Sequence, residues 1–433
     1  MRKFLLAIAL ISLHFATARA TDFVTVQGGR FMLHDMPYYY IGTNMWYAPI
    51  LASEGEGGDR ERLHRELDLL HSLGVDNLRI LAGADAGSPH ARSVSPVLQL
   101  PTGELNDTLL RGLDYLLREM EQRGMQAVIY LNNAWDWSGG YGHYLQRVGL
   151  PPTPASDGEG YADYVRSAAE FSRCVPAQQL YIEYVRSIVG RVNSLTGRPY
   201  SESPAIMAWQ LCNEPRPFAT DSATVEGFCA WIDRAARTIK SIDTHHLVSI
   251  GSEGIIGCNV DERLCQRIHA NPDIDYLTLH IWPLNWRWAS RDRLYESLPN
   301  VYVKSAEYIN NHVRIARKLG KPMVIEEFGY ARDHNFLYPG CTTTARDSFY
   351  EFIFTQLMGS AADDSTPLMG VNFWGWGGSG RPAEATWQPG ADYLSDPPHE
   401  PQGWYSVYDC DSTTLQLIRR FTQKLQGRPS ESN

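Results

Sequence analysis

Ile206-Met-Ala-Trp-Gln-Leu-Cys-Asn-Glu214 is an almost unbroken apolar run that closes on a polar pair, Asn213 and Glu214. A strand covered on both faces reads as continuous hydrophobic sequence. Polar residues gathered at its C-terminal end match a parallel barrel, which keeps its chemistry at that edge of the sheet. Alternation along an extended chain puts Ala208, Gln210, Cys212 and Glu214 on one side and Trp209 and Leu211 on the other. The first set is expected to point inward.

Seven more runs of this kind are present: Tyr39 to Met45, Asn77 to Ala82, Ala127 to Asn132, Leu247 to Ser252, Tyr276 to Trp282, Met323 to Phe328 and Gly370 to Trp376. Between them lie stretches with helical spacing, at Arg60 to Leu73, Leu109 to Arg123, Gln178 to Leu195, Val225 to Ile242, Ser305 to Leu319 and Ser348 to Gly359. Strands alternating with helices imply right-handed crossovers and a parallel sheet. Some eight such units predict an α/β fold, the (β/α)8 TIM barrel, as one catalytic domain over residues 21–433. Ahead of it, Phe23 to Leu33 carries a Gly-Gly turn and predicts a hairpin that plugs the barrel floor. Long connections after the third and eighth strands, Ala134 to Ala177 and Gly377 to Asp411, carry Trp135, Trp137, Tyr141, Tyr144, Trp387 and Trp404. These aromatics either wall a cleft or pin the loops to the body.

The composition excludes other classes. A net charge of -10, with no basic run longer than Arg419-Arg420, argues against a nucleic-acid partner. Twelve Trp and 23 Tyr suit a surface that stacks on flat, uncharged ligands such as sugars. Met1-Arg2-Lys3, the apolar stretch Phe4 to Phe15 and Ala18-Arg19-Ala20 together have the form of a secretory signal over residues 1–20. That predicts a secreted or periplasmic protein with no membrane span in the mature chain. Export permits disulfides among the seven cysteines. Cys258 with Cys265 is the expected local bridge, Cys341 with Cys410 a second candidate, and Cys212 is expected to be free.

Glu327, in Val324-Ile-Glu-Glu-Phe-Gly329, ends its run as Glu214 ends its own. Two carboxylates facing each other across a sugar ring are the minimum equipment for breaking a glycosidic bond. One must carry a proton for the leaving oxygen while the other meets the anomeric carbon ionised. A guanidinium such as Arg79 keeps one charged, and an apolar setting favours the proton on the other. The strand ends also collect Asn44, Asn132, Asn213, Glu253, His280, Trp282 and Trp374, more polar and aromatic groups than a purely structural barrel needs.

Through Gly42-Thr-Asn44, Leu78-Arg-Ile80, Asn132-Asn-Ala-Trp-Asp136, Asn213-Glu-Pro-Arg216, His280-Ile-Trp-Pro283, Glu327-Phe-Gly329 and Trp374, the chain resembles glycoside hydrolase family five, and within it the endo-β-1,4-mannanase branch. The resemblance implies Glu214 as acid/base, Glu327 as nucleophile and Asn213 on the sugar 2-hydroxyl. It implies that Arg79 and His280 order the two carboxylates and that Trp374 floors the subsite of the cleaved sugar. Trp46, Asn132, Trp135, Arg216 and Trp282 complete the expected substrate-binding set. In the family pattern a Tyr stands in the place of Trp282 and donates to the nucleophile. Alternation does not choose between Glu326 and Glu327; the Glu-aromatic-Gly pattern selects Glu327.

Other signals are weak. Gly375-Trp-Gly-Gly-Ser-Gly380 has the letters of a dinucleotide fingerprint but no βαβ unit after it, and His245-His246 lacks metal-ligand spacing. Neither a cofactor nor a metal is therefore expected. The function expected is a secreted retaining endo-β-1,4-mannanase acting on mannan, glucomannan or galactomannan. A β-1,4-glucanase with the same carboxylates and a non-catalytic carbohydrate-binding barrel are the alternatives.

Overall fold

The computed structural model describes residues 23–90, 92–363 and 366–427, so the expected signal sequence lies outside the described residues. Each apolar run forms a strand: β1 (Tyr40–Asn44), β2 (Asn77–Leu81), β3 (Gln126–Tyr130), β4 (Ile206–Gln210), β5 (Leu247–Ser249), β6 (Leu277–Ile281), β7 (Met323–Phe328) and β8 (Leu368–Phe373). They pair in parallel in the order β5-β4-β3-β2-β1-β8-β7-β6. The outer two, β5 and β6, meet through sparser bonds. Asp275 N donates to Val248 O at 2.8 Å, His280 N to Glu253 O at 3.2 Å, and Thr278 Oγ1 to Ser252 O at 2.8 Å. This closes the sheet into a (β/α)8 barrel.

The outer ring comprises α1 (Arg60–Ser72), α2 (Asp107–Gln122), α3 (Val175–Val189), α4 (Ser222–Ile242), α5 (Glu262–His269), α6 (Leu294–Leu319), α7 (Thr344–Ala362) and α8 (Ser412–Leu425). Aspartates start several of them: Asp59 accepts from Arg62 N at 2.8 Å and Asp221 from Thr224 N at 3.1 Å, satisfying amides with no partner in the first turn. The sequence reading missed α5 and α8. No described helix is long and apolar enough to cross a membrane.

The hairpin is present. Thr25–Gln27 pairs with Arg30–Leu33 around Gly28 and Gly29, whose φ values of 59° and 77° suit glycine. Its Phe31 is fully buried, edge-on to Tyr276 at 5.2 Å, in an apolar layer with Val128, Met207, Ala208, Val324 and Met369 from the barrel interior. This layer is the floor.

The connection after β3 holds helices of its own, Tyr141–Arg147 and Tyr161–Arg173. Among the loop aromatics, Trp137, Tyr141, Tyr144, Trp387 and Trp404 are at most 5% exposed, so they pin the loops; only Trp135 stays partly open. The connection after β8 is stiff. Asp396 accepts from Tyr405 N (2.7 Å), Gly403 N (2.9 Å) and Ser406 Oγ (2.6 Å), while Gln402 Nε2 donates to the carbonyls of Asp396, Pro397 and Glu400. The glycine-rich segment Gly375 to Gly380 packs on α1, where Glu66 accepts from Trp376 Nε1 at 2.8 Å and Ser379 N at 2.9 Å.

All seven cysteines are free thiols, which corrects the disulfide expectation and agrees with that for Cys212. Cys258 and Cys265 meet as a buried, hydrogen-bonded pair. Cys341 and Cys410 turn to different partners, the Asp333 carbonyl at 3.2 Å and the Arg381 guanidinium at 3.6 Å.

Candidate active site

Glu214, after β4, and Glu327, on β7, leave strands separated by β5 and β6 and converge over the barrel mouth. His280 Nδ1, at the top of β6, lies 2.7 Å from Glu214 Oε1 and 3.2 Å from Glu327 Oε2. One oxygen of each carboxylate lies within 4.8 Å of the other. Glu214 is 8% exposed and Glu327 2%.

The chain reaches this geometry by leaving ideal extension. Inward alternation along β4 holds through Gln210, which bonds Arg79, Ser249 and Glu326 inside the barrel. Beyond it, Asn213 turns inward, while Cys212 packs outside against Asn132, contrary to strict alternation. Asn213 N donates to Asn132 O at 2.8 Å and Glu214 N to Gly251 O at 2.9 Å, which fixes the turn. Glu214 itself has φ 49°, a sparsely populated region for a side-chain-bearing residue. Gly251 makes the bend possible: a Cβ there would sit 1.9 Å from the Cys212 carbonyl.

A register shift in the pairing of β7 with β6, between Ile325 and Glu327, resolves the neighbouring glutamates. Both side chains turn inward at different depths. Glu326 accepts from Gln210 Nε2 at 2.6 Å and Tyr276 OH at 3.2 Å, deep in the barrel, where burial pushes its pKa up. Glu327 meets Arg79 Nη1 at 2.5 Å and Trp282 Nε1 at 3.1 Å. Trp282 thus makes the contact that the family pattern gives to Tyr. Arg79 spans the site, donating also to Asn213 Oδ1 (2.7 Å), Gln210 Oε1 (2.8 Å) and Asn44 Oδ1 (3.1 Å).

Trp135 Nε1 donates to Glu214 Oε2 at 2.5 Å, and its ring carries the Arg216 guanidinium 5.1 Å from the centroid. Arg216 Nε in turn meets Glu253 Oε2 at 2.5 Å. Trp374, 4% exposed, lies edge-on to Trp282 at 5.9 Å. Two expected residues are engaged elsewhere and do not touch the carboxylates. Trp46 Nε1 donates to Ser395 O at 2.9 Å within a buried cluster of Tyr47, Trp137 and Tyr393. Asn132 Nδ2 donates to Asp85 Oδ2 at 2.8 Å. Its neighbour Asn133 is the one that reaches the site, accepting from Asn213 Nδ2 at 3.1 Å, and the Asn-Asn doublet was its only sequence signal. Glu400, half-buried on the connection after β8, was missed altogether. Burial, then the charges of Asp396, Glu214 and Glu327, raise its pKa to about 8.

The proton distribution differs from the sequence expectation. Burial alone would raise the Glu214 pKa, yet the hydrogen bond and charge of His280, then Arg216 and Trp135, hold it below the ordinary glutamate value. Burial disfavours a charged His280, but Glu327 and Glu214 raise its pKa to about 10. The mobile proton of the free site therefore rests on His280. Glu214, His280 and Glu327 also form a possible ligand trio. Its 2.7 Å contact is a hydrogen bond, whereas two ligands on a tetrahedral zinc stand about 3.3 Å apart.

A parallel barrel with two converging glutamates, an imidazole between them and an arginine behind one is a glycosidase architecture. The comparisons agree: the model described as "GH family 5 beta-mannosidase-like" matches residues 21–429, and the chain belongs to glycoside hydrolase family 5. It is a glycoside hydrolase. Mannan endo-1,4-beta-mannosidase 1 of Oryza sativa subsp. japonica is 28% identical over 81% of this chain and 78% of its own length. The family 5 mannosidase of Rhizomucor miehei is 32% identical, with TM-score 0.85, over 94% of this chain and 98% of its own; its mutant has been solved in complex with mannosyl-fructose. The endo-beta-1,4-mannanase of Thermotoga petrophila, at 22% identity and TM-score 0.64, shares the fold.

Proposed function

We propose that this chain is a retaining β-mannosidase, acting on β-1,4-linked manno-oligosaccharides and releasing sugar from a chain end. The observation that carries the retaining mechanism is the carboxylate pair, with oxygens within 4.8 Å. Retaining enzymes hold their carboxyls about 5 to 5.5 Å apart, inverting ones about 6.5 to 9.5 Å. Mannose as the substrate sugar is supported by the names of the relatives and by the mannosyl-fructose complex of the Rhizomucor enzyme.

In the first step Glu327 forms a bond to the anomeric carbon as the glycosidic bond breaks, and Glu214 protonates the departing oxygen. The proton reaches Glu214 from His280 across their 2.7 Å hydrogen bond. Arg79 and Trp282 hold the Glu327 carboxylate in place. Esterification removes the Glu327 charge. Glu214, now ionised, takes a proton from water, whose hydroxyl attacks the anomeric carbon and frees Glu327.

Chain-end release is supported by the closely bonded connection after β8, which lays Tyr405 edge-on to Trp282, the donor to Glu327, with ring centroids 5.0 Å apart. We infer that this connection bounds one side of the sugar subsite. Internal cleavage of mannan is the second reading, favoured by the names of the plant relatives. Mannohexaose separates them: the first reading gives mannose as the earliest product, with the β-anomer first by NMR, and the second gives dimers and trimers. An initial α-anomer would exclude retention. Faster turnover of cello-oligosaccharides would move the assignment to a glucanase. Export through residues 1–20 is likewise inferred, from their charge and apolar pattern; N-terminal sequencing of protein collected outside the cell tests it.

A further inference from the structure

His90, on the connection after β2, makes two contacts that join separate loops. Its Nε2 lies 3.1 Å from Asp136 Oδ2, and its ring stacks on His399 with centroids 4.9 Å apart and planes 23° from parallel. Asp136 is itself fixed, accepting from Ser156 N at 2.8 Å and Ser156 Oγ at 2.6 Å. The His90 side chain is only 6% exposed. Three connections, after β2, β3 and β8, therefore meet at one imidazole.

Two of these connections also reach the carboxylates or their partners. Trp135, next to Asp136, donates to Glu214, and the connection that carries His399 and Glu400 lays Tyr405 edge-on to Trp282, the donor to Glu327, at 5.0 Å. Two of the three loops thus send one residue to the clasp and another to the site. Gln402, bonded to the carbonyls on either side of His399, keeps that tip in a single shape, so the tip moves as a unit when its stacking partner is lost.

From this arrangement we propose that the His90–His399 stack, seated on Asp136, is a clasp that holds the Glu400 loop across the end of the cleft and so restricts cleavage to chain ends. The residues act through Glu400 and are positioning residues. The inference rests on the chain-end reading above. Opening the clasp admits a polymer that continues past the first subsite, while a single sugar still binds.

The test compares His399→Ala and His90→Ala with the wild type on two substrates, an aryl β-mannoside and soluble galactomannan followed by viscosity, with products from mannohexaose as a third readout. In both variants the ratio of polymer to aryl-mannoside rate is expected to rise about tenfold or more, and dimers appear among the early products. The aryl-mannoside kcat changes less than about threefold. His399→Phe, which keeps a flat ring on His90, restores the wild-type ratio. Folded alanine variants with an unchanged ratio, or a ratio that His399→Phe fails to restore, overturn the clasp while leaving chain-end release intact. Wild-type protein that itself releases dimers from mannohexaose overturns the chain-end reading and the clasp with it. If an alanine variant does not fold, the His399→Phe ratio decides: an unchanged ratio is the expected result, and a rise on loss of the His399 ring nitrogens alone refutes stacking as the cause.

Discussion

The two ends of one set of strands differ in kind. At the floor, Val128, Met207, Ala208, Val324 and Met369 pack under Phe31 with no charge among them. Toward the mouth, strands of the same barrel carry Arg79, Asn213, Glu214, His280 and Glu327, nearly every polar atom paired with another. The contrast divides labour along each strand: stability is set mainly at one end and chemistry at the other. Mutations at the two ends should therefore separate cleanly.

The largest separation is expected from Glu327→Gln, which leaves the unfolding temperature within a few degrees but lowers kcat at least about 10³-fold, as loss of a covalent nucleophile does. Wild-type rates in that variant would remove Glu327 from the role. At the other end, Phe31→Ala empties the floor and costs about 3–5 kcal/mol in denaturant unfolding. Its kcat at a temperature where it stays folded matches wild type; a parallel loss of kcat would break the division. Trp282→Phe keeps an aromatic ring but removes the donor to Glu327. Loss of one hydrogen bond to a charged group lowers kcat by about 10- to 100-fold with little change in stability.

The smallest effect is on the pH dependence of stability. His280 has a folded pKa raised to about 10 from 6.5, so its contribution is fully present below 6.5 and is lost as pH climbs through 10. Glu253, raised to about 7 mainly by burial, works in the same direction between 4.5 and 7. The unfolding temperature of the wild type should fall from neutral pH toward pH 10, and His280→Phe should flatten that slope. An unaltered slope in the variant would place the linked proton elsewhere.

The strands were legible because a doubly covered strand writes its burial as a continuous apolar run, and each run in the sequence became one. The two glutamates were legible because they end such runs. What sequence did not carry is the choice made by backbone irregularities. A register shift separates Glu326 from Glu327 in depth, and a bend directly after Gln210 breaks the alternation that would have sent Cys212 inward. Loop residues were least legible. Trp46 and Asn132 were expected in the site yet bond to Ser395 and Asp85, because their surroundings come from connections distant in sequence. Glu400 and His399 have no local pattern at all, since only the folded β8 connection brings them beside His90. α5 and α8 went unseen for a different reason: one is a short helix of eight residues, and the other follows a long irregular stretch.

The thinly bonded boundary between β5 and β6 has a mechanical consequence. Seven strand pairs are laced by regular ladders, but this one depends on a few bonds, among them His280 N to Glu253 O. The cylinder is therefore most thinly bonded there, beside His280. A sugar gripped by Glu214 on one flank and by the β6 and β7 residues on the other spans that slit like a splint, so occupancy of the cleft tightens the whole hoop.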